Sequence, residues 1–179
     1  SLLFKTVLEK SLFSSPMACL DSVEKRIEKL SLQNDEDSIY DKNILKEFKN
    51  KLEKIKSEKF SRYTKLLSLL NDKNYGWDKK AVNDRIVIFT ERLETMKFLK
   101  TQIAKDCNLK DDEIVEFHGS MSDLEQQKLV DEFGSENSKI KIMIATDVAS
   151  EGINLHYMSH RMIHFDIPWS LMVFQQRNG

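Results

Sequence analysis

Hydrophobic residues recur at the spacing of an α-helix throughout the first seventy positions. They form four groups: Leu8 and Leu12; Leu20, Val23, Ile27 and Leu30; Leu45, Phe48, Leu52 and Ile55; and Phe60, Tyr63, Leu66, Leu67 and Leu70. This period predicts that residues 1–71 form a helical hairpin. Ser15 and Pro16 suit the N-cap and first position of a helix, and the polar stretch 31–41 is predicted to be the turn between two helices.

From residue 85 onward the pattern changes to short runs rich in β-branched residues. The runs are Ile86–Phe89, Ile114–Phe117, Ile140–Ile144 and Met162–Phe165, with helix-like stretches between most of them. Strands that alternate with helices predict an α/β fold in which right-handed crossovers connect the strands of a parallel sheet. Residues 72–84 follow neither period and are predicted to connect the two parts.

Two of the intervening stretches carry further helix signals. One face of the first stretch bears Leu93, Met96, Leu99 and Ile103. The second opens with a capping box, Ser122–Glu125, and reaches Gly134 after Phe133, which predicts a glycine stop.

The charges nearly cancel. The chain has 28 Lys and Arg residues against 29 Asp and Glu residues, a net charge of -1, so any polyanion site must be local. Basic residues do cluster in the helical part: Lys25, Arg26, Lys29, Lys46, Lys49, Lys51, Lys54, Lys56 and Lys59. A solvated helix face is the favoured interpretation, and a ridge that faces a polyanion is the alternative.

Several classes of protein are disfavoured. No apolar run approaches the roughly 18 residues that a membrane span needs, so no membrane partner is expected. Cys19 and Cys107 make neither a disulfide framework nor a zinc motif, which favours a reducing, cytoplasmic setting. The five glycines do not form the phosphate-binding motifs G-x-x-x-x-G-K-[ST] or G-x-G-x-x-G.

Polar residues follow each predicted strand, where an open parallel sheet binds its ligands. They are Thr90; His118, Gly119 and Ser120; Thr146 and Asp147, with Ser150, Glu151 and Gly152 close behind; and Asp166, with Trp169 nearby. Plainer interpretations exist: Thr90 and Ser122 as helix caps, His118 as a structural hydrogen-bonding residue, and Trp169 as a hydrophobic plug.

Two possible metal motifs are rejected. Asp35–Ser38 has the letters of an acidic Mg²⁺-binding box but lacks a preceding apolar strand. His156, His160 and His164 have helical zinc spacing, but His164 lies within a strand-like run. No metal-binding residue is therefore predicted.

The ordered set of blocks resembles a known family. Residues 144–155, Ile-Ala-Thr-Asp-Val-Ala-Ser-Glu-Gly-Ile-Asn-Leu, look like motif V of superfamily-two helicases. Residues 85–90 resemble motif IV, 117–120 resemble the next block, and 166–169 and 175–179 resemble the approach to motif VI and its start. Glu151-Gly152 and the Asp-x-x-Trp run are most similar to the Swi/Snf-like branch, especially its bacterial members.

The resemblance covers about residues 60–179 and implies a fold and partners. Residues 85–179 would be the second RecA-like lobe, a parallel sheet flanked by helices, truncated within motif VI. The helical part resembles only loosely the insertion that precedes this lobe. A first RecA-like lobe of the same full-length protein would carry the phosphate loop and the Mg²⁺ site, and ATP would lie between the lobes.

The resemblance also implies roles for individual residues. ATP binding or coupling is expected of Asp147, Glu151, Gly152, Gln176 and Arg177. Contact with a nucleic-acid backbone is expected of Thr90, His118, Gly119, Ser120, Thr146 and Ser150. The arginine finger would follow Gly179, so the chain alone is expected neither to bind ATP and Mg²⁺ tightly nor to hydrolyse ATP.

Two departures limit the resemblance. Gln126 stands where such lobes usually have an arginine, and Ser170-Leu171 replaces the common Asn-Pro. The sequence favours an ATP-dependent translocase on double-stranded DNA. A non-catalytic regulatory or scaffold module and an RNA-directed helicase lobe are the alternatives.

Overall fold

The computed structural model describes residues 2–146 and 161–166. The chain divides into two compact units, Ser1–Ser61 and Arg62–Gly179. The division into a hairpin at 1–71, a connector at 72–84 and a lobe at 85–179 stays a prediction.

The first unit contains three helices, α1 (Leu2–Ser14), α2 (Pro16–Ser31) and α3 (Glu36–Leu52), followed by a short 3-10 turn at Ser57–Lys59. Ser15 is the N-cap of α2, as predicted, and its hydroxyl accepts a hydrogen bond from the Ala18 N–H. The unit is held together by the apolar faces of α2 and α3, whose buried core residues are Cys19, Val23, Leu30, Leu45 and Leu52.

The predicted turn at 31–41 is too long. Only residues 32–35 separate α2 from α3, and residues 36–41 are helical. The reason is a cap: the Asp35 carboxylate accepts hydrogen bonds from the backbone N–H and the hydroxyl of Ser38, which starts α3 at Glu36. These two hydrogen bonds lower the pKa of Asp35 from its ordinary value.

The second unit contains the α/β part that was predicted from residue 85 onward. Along the chain it contains α4 (Ser61–Leu70), which begins at the unit boundary, then β1 (Ile86–Thr90), α5 (Leu93–Asp106), β2 (Ile114–Phe117), α6 (Asp123–Gly134), β3 (Ile142–Thr146) and β4 (Arg161–His164). All pairs in the sheet are parallel and the strand order is β2-β3-β1-β4. The predicted fold class, a parallel sheet flanked by helices, is confirmed.

Both faces of the central strands are buried, as continuous β-branched runs predict for a parallel sheet. On one face lies a cluster formed with α6: Val87, Phe89, Phe117, Val130, Phe133, Ile140, Met143 and Ala145. Helix α5 buries Met96, Leu99 and Ile103, three of the four residues predicted to form its apolar face. In the described part of the chain, no helix is long and apolar enough to cross a membrane.

Helix α6 has its predicted capping box and ends at Gly134 as predicted, but Gly134 does not adopt the left-handed conformation of a glycine stop. Gly134 is the last residue of the helix, and Ser135 caps it with extended backbone angles. The carbonyls at this end are satisfied by a distant side chain instead: the buried guanidinium of Arg85 donates to Phe133 O and, at 2.5 Å, to Ser135 O. A left-handed glycine is therefore not needed.

Candidate functional site

Three of the predicted site residues lie side by side at the carboxyl edge of the sheet. Thr90 ends β1 and is in register with Thr146, which ends β3. His118 directly follows Phe117, the partner of Ala145, and so continues the same row beside Thr146. Because side chains alternate along a strand, Thr90 and Thr146 belong to the face opposite Phe89 and Ala145.

Thr90 is fully buried and its hydroxyl is engaged. It donates to Asp166 Oδ2 at 2.7 Å, and the Glu91 N–H donates to Oδ1 of the same carboxylate at 2.9 Å. Thr90 does not cap α5, because the N-cap of that helix is Arg92, with no side-chain hydrogen bond. The cap interpretation is therefore wrong, whereas contact of Thr90 with a nucleic-acid phosphate stays a prediction.

His118 lies in a loop that α6 holds in place. Its carbonyl accepts from the Met121 N–H at 3.1 Å and from the Gln126 side-chain amide at 3.3 Å, and that amide also reaches Met121 O. The ring is half-buried, and its Nδ1 atom is buried without a hydrogen-bond partner among the described residues. Gly119 and Ser120 are exposed in the turn of this loop.

The loop ends at the capping box of α6. The Ser122 hydroxyl accepts from the Glu125 N–H, and the Glu125 carboxylate accepts from the Ser122 N–H at 2.8 Å. The hydrogen bonds from Ser122 lower the pKa of Glu125 from its ordinary value. Ser122 is thus a helix cap, as predicted.

The remaining predicted residues lie outside the described part of the chain. They are Asp147, Ser150, Glu151, Gly152, Gln176 and Arg177, which include all five residues predicted for ATP. Thr146, which is buried, directly precedes Asp147 in the sequence. Thr146 therefore belongs both to the row of strand ends and to residues 144–155, which resemble motif V.

The histidine and cysteine predictions can be placed in part. His164 is the last residue of β4, and its ring stacks on Phe89 with the ring centres 5.6 Å apart, so it does not share a helix with His156 and His160. Cys19 and Cys107 are both buried free thiols. Within residues 2–146 and 161–166, no group of three or more His, Cys, Asp or Glu side chains is arranged to hold a metal ion.

Two residues acquire roles that sequence reasoning missed. Asp166 follows a predicted strand and opens the Asp-x-x-Trp run, and the structure adds that its carboxylate joins the ends of β1 and β4. Gln126 was noted only as a departure from a family pattern, yet it holds the His118 loop. Both roles depend on contacts that no local pattern encodes.

The second unit has relatives among known proteins. Residues 58–179 match the family described as "Helicase conserved C-terminal domain". The chain is 35% identical over 100 residues to the uncharacterized ATP-dependent helicase YqhH of Bacillus subtilis, covering 56% of this chain and 16% of that protein. It is 29% identical over 109 residues to the RNA helicase CrhR of Synechocystis, covering 58% and 22%.

Two further comparisons extend this picture. The SNF2 domain-containing protein CLASSY 4 of Arabidopsis thaliana is 28% identical over 98 residues, which cover 54% of this chain and 9% of that protein. The helicase domain of Hef from Pyrococcus furiosus has a similar fold, with a TM-score of 0.58 and 21% identity over 91% of this chain and 33% of that one. The chain thus spans less than a quarter of each of these three sequence relatives.

Proposed function

This chain belongs to the family of helicase conserved C-terminal domains, and from that premise we propose that it is the second RecA-like lobe of an ATP-dependent motor that translocates on double-stranded DNA. In the full-length protein a first lobe supplies the phosphate loop, and ATP binds between the two lobes. This chain contributes the residues that resemble motifs IV and V and the start of motif VI.

One observation carries the proposal. Two neighbouring parallel strands end at Thr90 and Thr146, and a third strand ends at Phe117, directly before His118. In the sequence, Thr146 is followed directly by residues 147–152. Ligands of open parallel sheets bind outside the carboxyl ends of the strands. The blocks that are separate in the sequence therefore meet at the edge where a nucleotide and a nucleic-acid backbone are expected to bind.

The chemistry suits a lobe that carries no complete active site. Phosphoryl transfer depends chiefly on positioned charge, so groups delivered by a second lobe can complete the site when the lobes close. In the proposal Asp147, Glu151 and Gly152 approach the nucleotide, and Gln176 and Arg177 couple lobe closure to its phosphates. Mg²⁺ is held by the first lobe and neutralises charge on the phosphates when bound.

The backbone track is assigned to the strand ends. The candidate residues are His118, Gly119, Ser120, Thr146 and Ser150, because the hydroxyl of Thr90, the sixth predicted residue, already donates to Asp166. The net charge of -1 confines phosphate contact to such local groups. Double-stranded DNA is favoured by the Glu151-Gly152 step and the Asp166–Trp169 run, and CLASSY 4 is named for an SNF2 domain. RNA is the second candidate track, because CrhR is named an RNA helicase.

ATP turnover by the full-length protein tests the proposal. Rates are measured with duplex DNA and with RNA at one salt concentration, because phosphate contacts are sensitive to salt. Stimulation by duplex DNA that is lost in Asp147→Ala and Arg177→Ala supports the proposal, and Asp112→Ala, on an exposed loop, is the matched control. Stimulation by RNA alone would assign an RNA track. Turnover and translocation unchanged in both variants would favour a scaffold.

The reading frame of the full-length protein gives an independent check. The proposal requires a phosphate-loop lobe upstream of residue 1 and an arginine shortly after Gly179. A frame without either feature would contradict the motor and favour a regulatory module.

A further inference from the structure

The carboxylate of Asp166 bridges two strands at the edge that carries the candidate site. Oδ2 accepts a hydrogen bond from the Thr90 hydroxyl at 2.7 Å, and Oδ1 accepts a hydrogen bond from the Glu91 N–H at 2.9 Å. Just before it, the Phe165 N–H donates to Phe89 O at 2.9 Å, which continues the pairing of β4 with β1 by one residue. The two strand ends are therefore joined by backbone and side chain together.

This bridge is shielded from water. Asp166 is 5% exposed and Thr90 is 0% exposed. Hydrogen bonds to a charged acceptor are stronger than neutral ones, and loss of one partner leaves a buried polar group unsatisfied. The relative position of the two strand ends is thus firmly set.

We infer that Thr90 and Asp166 form a positioning pair that fixes where the chain leaves β4 toward residues 167–179, and that Thr90 serves the motor through this pair rather than by donating to a nucleic-acid phosphate. The inference rests on the proposed function. The Thr90 hydroxyl has a single proton, and that proton is directed at Asp166, so it is not available to a phosphate oxygen.

The pair lies next to the starting points of two chain segments that the proposal assigns to ATP. Residue 167 follows Asp166 directly, and the segment that begins there contains Gln176 and Arg177, the residues proposed to couple closure to ATP. Thr90 is also the register partner of Thr146, which precedes Asp147. A displacement of the pair therefore alters the starting points of both segments that the proposal assigns to the nucleotide.

The test uses the full-length protein with three single variants of the pair and the double variant that combines Thr90→Val with Asp166→Asn. Thr90→Val removes the hydroxyl at nearly constant volume, Asp166→Asn weakens the bridge while keeping an acceptor for the Glu91 N–H, and Thr90→Ser restores the hydroxyl. We expect Thr90→Val and Asp166→Asn each to lower the kcat of nucleic-acid-stimulated ATP turnover roughly tenfold. We expect the double variant to be no slower than the slower single variant, and Thr90→Ser to recover most of the rate.

Binding of duplex DNA distinguishes the pair from a phosphate contact. A positioning pair predicts that Thr90→Val and Asp166→Asn change the affinity for duplex DNA to the same extent. A phosphate ligand predicts that Thr90→Val alone weakens this affinity, roughly tenfold at every salt concentration, because one hydrogen bond to a charged acceptor is lost. Thr101→Val, an exposed threonine on α5, is the matched control, and the melting temperature of each variant shows that turnover is measured on folded protein.

The outcomes separate the two proposals. A loss of duplex affinity confined to Thr90→Val, or rate losses that add in the double variant, would overturn the positioning pair in an otherwise working motor. A wild-type protein without nucleic-acid-stimulated turnover would overturn the proposed function and this role with it.

Discussion

Arg161 and Asp84, 77 positions apart in the sequence, form an ion pair in which Nε donates to Oδ1 at 2.6 Å and Nη2 donates to Oδ2 at 3.3 Å. Arg161 also donates to the carbonyls of Tyr75 and Gly76, and its guanidinium lies 4.7 Å from the centre of the Tyr75 ring. The first residue of β4 thereby holds the stretch 75–84 against the start of the sheet. This stretch has no regular secondary structure, and its order comes from side-chain contacts.

Removal of that guanidinium should destabilise the second unit. Both side chains of the pair are less than a quarter exposed, so we expect Arg161→Ala to lower the free energy of unfolding by about 2–3 kcal/mol. Arg161→Lys should cost less, because it keeps the charge but loses the planar fork. The measurement is urea unfolding followed by the fluorescence of Trp77, whose indole N–H donates to Asp84 O at 3.0 Å, in a Trp169→Phe background.

A surface pair serves as the control for this prediction. Lys139 and Asp112 lie 3.5 Å apart and are mostly exposed, so Lys139→Ala should change the unfolding free energy by less than about 0.5 kcal/mol. Equal effects of Arg161→Ala and Lys139→Ala would show that the Asp84 pair contributes no more than a surface contact.

Tyr63 predicts a loss of stability at alkaline pH. It is 2% exposed and its hydroxyl donates to Asp106 Oδ2 at 2.5 Å. Burial and, to a smaller extent, this hydrogen bond raise the pKa of Tyr63 far above its ordinary value. The folded state therefore keeps a proton that the unfolded state releases near pH 10, so the stabilisation is complete below about pH 10 and is lost as the pH rises further.

Urea unfolding between pH 8 and pH 12 measures this effect. Tyr63→Phe should cost about 1 kcal/mol at pH 8, because the hydroxyl contact is lost, and the gap from wild type should close as the pH rises above about 10. Tyr40→Phe, at a tyrosine that is 68% exposed, is the matched control and should leave the alkaline loss in place. A gap for Tyr63→Phe that stays constant over this range would contradict the pKa assignment.

The capping box of α6 predicts a loss of stability in acid. Hydrogen bonds from Ser122 lower the pKa of Glu125, so its contribution is present above the ordinary glutamate value of about 4.3 and disappears as the pH falls through the lower folded-state value. Ser122→Ala should cost about 1 kcal/mol at pH 7.

Thermal unfolding at pH 7 and at pH 3 tests the carboxylate itself. Glu125→Gln should melt below wild type at pH 7, and the difference should shrink at pH 3. Glu132→Gln removes one negative charge from an exposed position of the same helix and is the control for net charge. A difference that persists unchanged at pH 3 would show that Glu125 acts by shape and not by charge.

The sequence patterns predicted the elements of this molecule better than its side-chain contacts, for a physical reason. β-branched runs such as Ile86–Phe89 and the capping box at Ser122 act over a few residues, so their signals are local. The partners of Arg85, Asp166 and Arg161 lie 48, 76 and 77 positions away, and no periodicity encodes such pairs. The same reason explains why α6 ends at Gly134 without a left-handed glycine, since the carbonyls there accept hydrogen bonds from the distant Arg85.

In the candidate site, too, the position of the residues was predictable from the sequence, whereas their side-chain contacts were not. Strand alternation and register placed Thr90, Thr146 and His118 at one edge, because a parallel sheet brings successive strand ends together. Burial of Thr90 against Asp166 was not predictable, because it depends on which strand pairs with β1. The order β2-β3-β1-β4 decides that neighbour.

Gln126 offers a prediction about the nucleic-acid track itself. Its amide donates to the carbonyls of His118 and Met121, each at 3.3 Å, so an uncharged side chain stands beside the row of strand ends. Under the proposed function, Gln126→Arg adds a cation next to the phosphate track. We expect duplex DNA to bind more tightly, with the slope of log K against log salt steeper by about 0.9, the value for one additional phosphate contact.

The neighbouring residue provides a control with the same charge. Gln127 is exposed and its amide donates to Asp131 at 2.8 Å, so Gln127→Arg adds one positive charge to α6 at a position that does not contact the His118 loop. A site-specific contact requires the steeper slope in Gln126→Arg but not in Gln127→Arg, measured by titration of the full-length protein with duplex DNA over a range of salt. Equal slopes in the two variants would show that added charge acts on binding in general, and that the His118 loop does not lie on the track.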